Sequence, residues 1–198
     1  MQRRSFLKGS GAVFVVVAGA GVWRAHDEGV FSVGEGPAYQ PWKDWQSQSD
    51  GPLTLVRAAI LAASPHNTQP WLFKVTDKQI ELYADTRRFP GALDPYLREQ
   101  HIGLGCALEN LMLAAAANGY NATAALVPGK LQAIPSNPQP ELVARVDLSL
   151  GNRQASELYD AIPHRHTNRA PYDLKPVPAE VTDALTALTG EEPEVKIF

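Results

Sequence analysis

The chain of 198 residues holds one cysteine, Cys106, and only two methionines. A lone cysteine rules out an internal disulfide, so the fold depends on packing. Long apolar runs are missing too. Gly9 to Trp23 is the most apolar stretch, and it falls short of the roughly 20 residues a spanning helix needs. Met1 to Ala25 has no acidic residue at all, whereas Arg3, Arg4, Lys8 and Arg24 all lie within it. Beyond that segment the balance reverses. The remaining body has 14 basic and 21 acidic residues, a net charge of −7, which disfavours nucleic-acid binding. Hydrophobic content of 44% and charged content of 20% are ordinary for about one globular domain. His164 and His166 lack a third metal ligand at a recognisable spacing, which disfavours a metal centre.

What is present begins with RRSFLK, Arg3 to Lys8, which resembles the twin-arginine export motif. A basic segment leading into a moderately apolar one is the arrangement of a bacterial signal. Residues 1–25 are therefore expected to be a signal segment. The protein would lie in the periplasm, or at the outer face of the inner membrane if an uncleaved signal anchors it. The twin-arginine machinery is the implied partner. Because that route carries folded, cofactor-loaded proteins, the resemblance also points to a bound cofactor. Residues 26–51, rich in Gly, Pro, Ser and Gln, read as an extended arm or linker whose aromatics lie partly against the body.

Periodicity predicts the rest. Leu53, Val56, Ala59, Ile60 and Ala63 repeat at helical spacing behind Pro52. Two alternating runs, 71–76 and 80–85, form a hairpin around Asp77-Lys78. A long helix follows from Leu97 to Tyr120, with Ile102, Leu104, Leu108, Leu111, Met112 and Ala115 as its apolar surface and a stop at Asn118-Gly119. Gly103, Gly105 and Ala107 in this helix imply close approach of another backbone. Cys106 and His101, on or beside the helix, read as packing residues. Strands at 122–127 and 142–150 flank a Pro- and Asn-rich loop. Short helices are expected at 153–162 and from Pro178 to about Leu188. The outcome is an α+β fold, a mostly antiparallel sheet flanked by helices.

Two segments carry chemistry. ASPHNTQPW, Ala63 to Trp71, gathers turn-formers and amides directly after a helix, and Asn67 and Gln69 offer donors and acceptors to a flat heterocycle. A well-bonded structural loop plugged by Trp71 is the competing reading. In HRHTNRAPYD, His164 to Asp173, the residues Arg165, Thr167 and Arg169 alternate, so in an extended backbone two guanidiniums and a hydroxyl could converge on one anion, with a solvated basic loop as the competing reading.

The chain resembles the nitroreductase superfamily of FMN-dependent oxidoreductases, in a twin-arginine-exported branch built from two fused repeats. The matching segments are Ile60 to Phe73, Leu82 to Tyr120, Arg165 to Asp173 and Pro176 to Val181. The resemblance implies that Arg165, Thr167 and Arg169 hold the FMN phosphate and ribityl chain. It also implies that Ser64, Pro65, Asn67 and Gln69 reach the flavin ring from the opposite half of a dimer. Here the ring loop precedes the arginine motif. Residues 52–150 are then expected to form a first repeat and 151–198 to open a second, which is incomplete, with Glu194 to Phe198 as a strand cut short. The implied activity passes electrons from NADH or NADPH through FMN to a nitroaromatic or quinone-like acceptor, although nicotinamide donors are scarce outside the cytoplasm. The alternatives are a non-catalytic protein that binds or sequesters FMN and a degenerate fragment. A dimer is a further expectation.

Overall fold

The computed structural model of the chain describes residues 17–28, 30–31, 36–46, 51–88, 90–129, 131–132, 138–168 and 170–191, the side chains of 188–191 excepted. The RRSFLK segment, Arg169 and Glu194 to Phe198 lie outside the described residues. Two compact units divide at Arg165/His166.

The first unit is built on a four-stranded antiparallel sheet in the order β1-β2-β4-β3. β1 (Trp71–Val75) and β2 (Gln79–Asp85) form the expected hairpin, closed where Thr76 N–H donates to the Gln79 carbonyl at 2.9 Å. β3 (Tyr120–Leu126) and β4 (Pro140–Leu150) complete the sheet. Period-two burial sets the register. Ile80, Leu82 and Ala84 of β2 and Ala144, Val146 and Leu148 of β4 turn to one face and are buried. Leu150, at the end of β4, is 86% exposed.

That layer comprises α1 (Gln40–Asp44), α2 (Leu53–Ala59) and α3 (Arg98–Ala117). α3 buries Gly103, Leu104, Ala107, Leu111, Ala114 and Ala115, a single stripe at helical spacing. Ile102, expected on the apolar surface, is 60% exposed because it sits about half a turn from the centre of the stripe. α2 is shorter than the helix to Ala63 that the periodicity suggests. Beyond Ala59 the chain tightens, as Leu61 N–H and Ala62 N–H donate to the carbonyls of Ala58 and Ala59, both at 3.1 Å. Its buried face is Leu55, Ala58 and Ala59, continued by Leu61 and Ala62, while Leu53 is half exposed. Asn110 Nδ2 donates to the Ala58 carbonyl at 3.1 Å and ties α3 to the end of α2.

The expected extended arm differs most from what is found. Within it, 37–44 form a 3-10 turn followed by α1, and the helix at 17–27, which lies mostly in the segment read as a signal, reaches its first two residues. Trp45 is buried in the main core, 5.0 Å from the Tyr159 ring between centroids. Burying an indole outweighs the weak local preferences of a Gly- and Pro-rich stretch. Residues 151–165, expected to open a second repeat, belong by packing to the first unit. Ser156 caps α4 (Glu157–Ala161) by accepting from Tyr159 N–H at 3.1 Å, and Ile162 enters the core. The second unit, 166–198, contains α5 (Ala179–Glu191), which Pro178 introduces by accepting from Val181 N–H at 3.0 Å. Among the described residues, no helix is long and apolar enough to cross a membrane.

Trp45→Ala should destabilise the protein by about 3–5 kcal/mol. Urea unfolding monitored by circular dichroism measures this, and a loss below about 1 kcal/mol would show that the helical arm is not part of the core.

Candidate functional site

The ASPHNTQPW loop leaves the tightened end of α2 and turns through a 3-10 segment, Pro65–Asn67, before Trp71 starts β1. Its backbone is unusual: His66, Asn67 and Gln69 all have positive φ, at 48°, 56° and 47°. Non-glycine residues rarely adopt this region, and three of them within four positions persist only where the surroundings hold them. Several contacts do so. Ser64 Oγ accepts from Gln69 N–H at 2.7 Å, closing the loop on itself. Gln69 Nε2 donates to Asn67 Oδ1 at 3.1 Å, and Thr68 Oγ1 donates to the Pro65 carbonyl at 3.0 Å. Asn67 and Gln69 are exposed, so one amide of each pair is engaged internally while the remaining donors and acceptors face outward.

α3 supplies the floor. A Cβ on Gly103 would sit 3.1 Å from Pro65 Cδ and 3.4 Å from the Ala63 carbonyl, the close backbone approach expected of a glycine here. Gly105 is different, since a Cβ there meets nothing within 4 Å. Trp71 is 7% exposed and packs in a second core cluster with Ala62, Leu82, Ala84, Leu104, Ala107 and Ala144. The plug expected of the purely structural reading therefore coexists with an outward-facing polar loop. Cys106 lies partly buried against the same cluster, and His101 Nδ1 donates to the Leu97 carbonyl at 2.5 Å.

A charged bracket, not anticipated from sequence, secures the far side of the loop. Asp85 ends β2 with its side chain 2% exposed, and Arg87 grips it through Nε at 2.7 Å and Nη2 at 2.9 Å. Arg88 Nε lies 3.5 Å from the same carboxylate, and its Nη1 donates to the Gln69 carbonyl at 3.3 Å. The Asp85 N–H donates to the Pro70 carbonyl at 2.8 Å. The Arg87 hydrogen bonds, working against burial, hold the Asp85 carboxyl below the ordinary carboxylate range. Gln100 is a second unanticipated group. It is 2% exposed, one turn before Gly103 on α3, and its Nε2 is a buried donor with no hydrogen-bond partner. A buried unpaired amide is costly and calls for an acceptor.

Of the residues expected to hold an anion, Arg165 is brought to the loop. Its Nη2 donates at 3.2 Å to the carbonyl of Leu61, three residues before Ser64. One guanidinium edge is used in this way, which leaves other N–H groups for an anion. Thr167 falls in the second unit and is exposed, and Arg169 lies outside the described residues. Among the described residues, no cluster of three or more His, Cys, Asp or Glu could hold a metal.

No family model matches the chain. Two curated relatives from Mycobacterium tuberculosis, both named "Putative NAD(P)H nitroreductase", are 30% and 32% identical to it over 128 and 127 residues. These matches cover 63% and 61% of this chain but 35% of each relative, so the chain spans about a third of the length of the relatives it matches. Among solved structures, a crystal structure titled "Putative NADH Oxidase" from Clostridium acetobutylicum aligns with a TM-score of 0.42 at 18% identity, over 63% of this chain and 92% of that one.

Asp85→Asn should cost about 1.5–3 kcal/mol near neutral pH by weakening its charge-assisted bonds to Arg87. A folded-state carboxyl held low contributes stability above its unfolded pKa, about 3.9, and loses it as pH falls through the folded value. The difference between the wild-type and variant unfolding free energies should therefore shrink below about pH 4. A gap that stays constant down to pH 3 would refute the charge-based account.

Proposed function

We propose that this chain is a nitroreductase-like flavin-binding body that passes electrons from NADH or NADPH, through FMN, to a nitroaromatic or quinone-like acceptor. The observation that carries this reading is the contact between the Arg165 guanidinium and the Leu61 carbonyl. It ties Arg165, the first residue of the phosphate-type motif, to a carbonyl three residues before Ser64, across 104 positions of chain. The names of the mycobacterial relatives support the same class.

The residues suit a flavin. Arg165, with Thr167 and Arg169, would hold its phosphate and ribityl chain, and Ser64, Pro65, Asn67 and Gln69 would meet the ring. The orphaned Gln100 amide, one turn before Gly103 on α3, is a further buried donor. When bound, FMN supplies the hydride and electron chemistry. The protein's own work is orientation. The Ser64–Gln69 bond and the Arg88 bracket hold the amides of Asn67 and Gln69 in place before any ligand arrives, which lowers the ordering cost of binding. No side chain here is assigned as a general acid or base.

The order of the two motifs fits fused repeats, or a dimer, in which one half lends its loop to the other. RRSFLK supports export by the twin-arginine machinery. The body would then lie in the periplasm, or be held at the outer face of the inner membrane by an uncleaved signal.

Titrating the full chain with FMN, followed by quenching of flavin fluorescence, tests the cofactor. Arg165→Ala should weaken binding about tenfold or more, because a charge-assisted hydrogen bond is worth about 1.5–3 kcal/mol. An unchanged affinity would remove Arg165 from the phosphate site. Anaerobic NADH or NADPH should bleach the bound flavin. A flavin that stays oxidised would mark a binding protein instead of a reductase.

A further inference from the structure

A separate cavity of about 310 Å³ lies between α3 and the β3–β4 end of the sheet, on residues the flavin reading does not use. Its body is apolar: Leu82, Leu104, Leu108, Leu126, Leu142 and Val143 line it. The cavity coincides with an irregularity in the sheet. Leu82 pairs with Ala144 and Tyr83 with Leu142, so Val143 is an extra residue on β4, and its carbonyl instead accepts from Val127 N–H at 2.9 Å. Such a bulge bends the strand and re-aims neighbouring side chains. Gly105 keeps the helix side open, since a Cβ there would meet nothing within 4 Å.

Two polar side chains join the lining, His101 and Glu141. His101 Nδ1 lies 2.5 Å from the Leu97 carbonyl, and a carbonyl only accepts, so Nδ1 carries the proton. That bond occupies Nδ1 and leaves Nε2 as the other polar atom of the ring. Glu141 supplies a carboxylate, which accepts hydrogen bonds. An apolar chamber of this size with a carboxylate in its lining selects an apolar ligand with a donor head. We propose that this cavity is a binding site for a small arylalkyl amine, with the hydrocarbon against the α3 and β4 leucines and the ammonium at Glu141. The proposal does not depend on flavin binding.

The test is calorimetric titration of the full chain with 2-phenylethylamine and with 3-phenylpropionate, an anion of similar shape. The amine should bind at least tenfold more tightly than the acid. Glu141→Gln should weaken the amine severalfold and narrow that preference. Gly105→Leu should reduce amine binding at least tenfold by filling the chamber, while circular dichroism shows an intact fold, because leucine favours a helix over glycine. Three results would overturn the proposal: equal affinity for amine and acid, unchanged amine binding by folded Gly105→Leu protein, or displacement of the amine by FMN, which would make the cavity part of a flavin site. If Gly105→Leu fails to fold, Glu141→Gln takes its place as the deciding variant: amine binding unchanged by that substitution would equally overturn the proposal.

Discussion

The close approach of α3 to the chain between Ala63 and Pro65 is the constraint on which the first unit turns. With 3.1 Å from a Cβ on Gly103 to Pro65 Cδ, even an alanine there would require Pro65 to give way slightly. The contact lies on a stripe of small and medium side chains, Gly103, Ala107, Ala114 and Ala115 among them, that lets α2 and the sheet lie close on either side. Close packing of this kind favours dispersion over many contacts and leaves little slack. The loop therefore begins at a fixed height above the helix, and its three left-handed residues are held in that setting by short hydrogen bonds from Ser64 and Thr68.

Electrostatics holds the other end. Asp85 is almost fully buried, yet its partners Arg87 and Arg88 are half exposed or more, so the ion pairs run from the core edge out to solvent. Such a geometry avoids the full desolvation penalty of a buried pair while keeping short, charge-assisted bonds to the carboxylate. Because Arg88 also reaches the Gln69 carbonyl, and Asp85 N–H the Pro70 carbonyl, the end of β2 and the end of the loop form one bracket. The polar loop is thus fixed between a glycine floor and a salt-bridged edge.

Much of this was legible in the chain. The hairpin, the long helix and the β4 strand carry clean periods of two or 3.6, and they appear within a few residues of where those periods place them. Gly103 signalled close approach because a glycine inside a helix is costly unless space demands it. Other features left no local trace. Gln100 sits among Arg98, Glu99 and His101 and reads as surface, and only the packing of α3 shows that it is buried. Arg88 is one of two adjacent arginines with nothing to tell which would reach the loop. Trp45 lies in a stretch whose composition argues for an extended linker, and its burial depends on Tyr159, more than a hundred positions away.

From its own residues the chain determined an α+β class, the strands that alternate, the helix that turns at Asn118-Gly119 and the two polar segments set apart by their composition. These are local properties, written in spacing and backbone preference over a few residues. Tertiary structure decided the strand order, which side of each helix is covered, the inclusion of residues 151–165 in the first unit and the meeting of Arg165 with Leu61. Those outcomes depend on contacts between residues far apart in sequence, and such contacts form only when the whole apolar surface finds its most favourable burial.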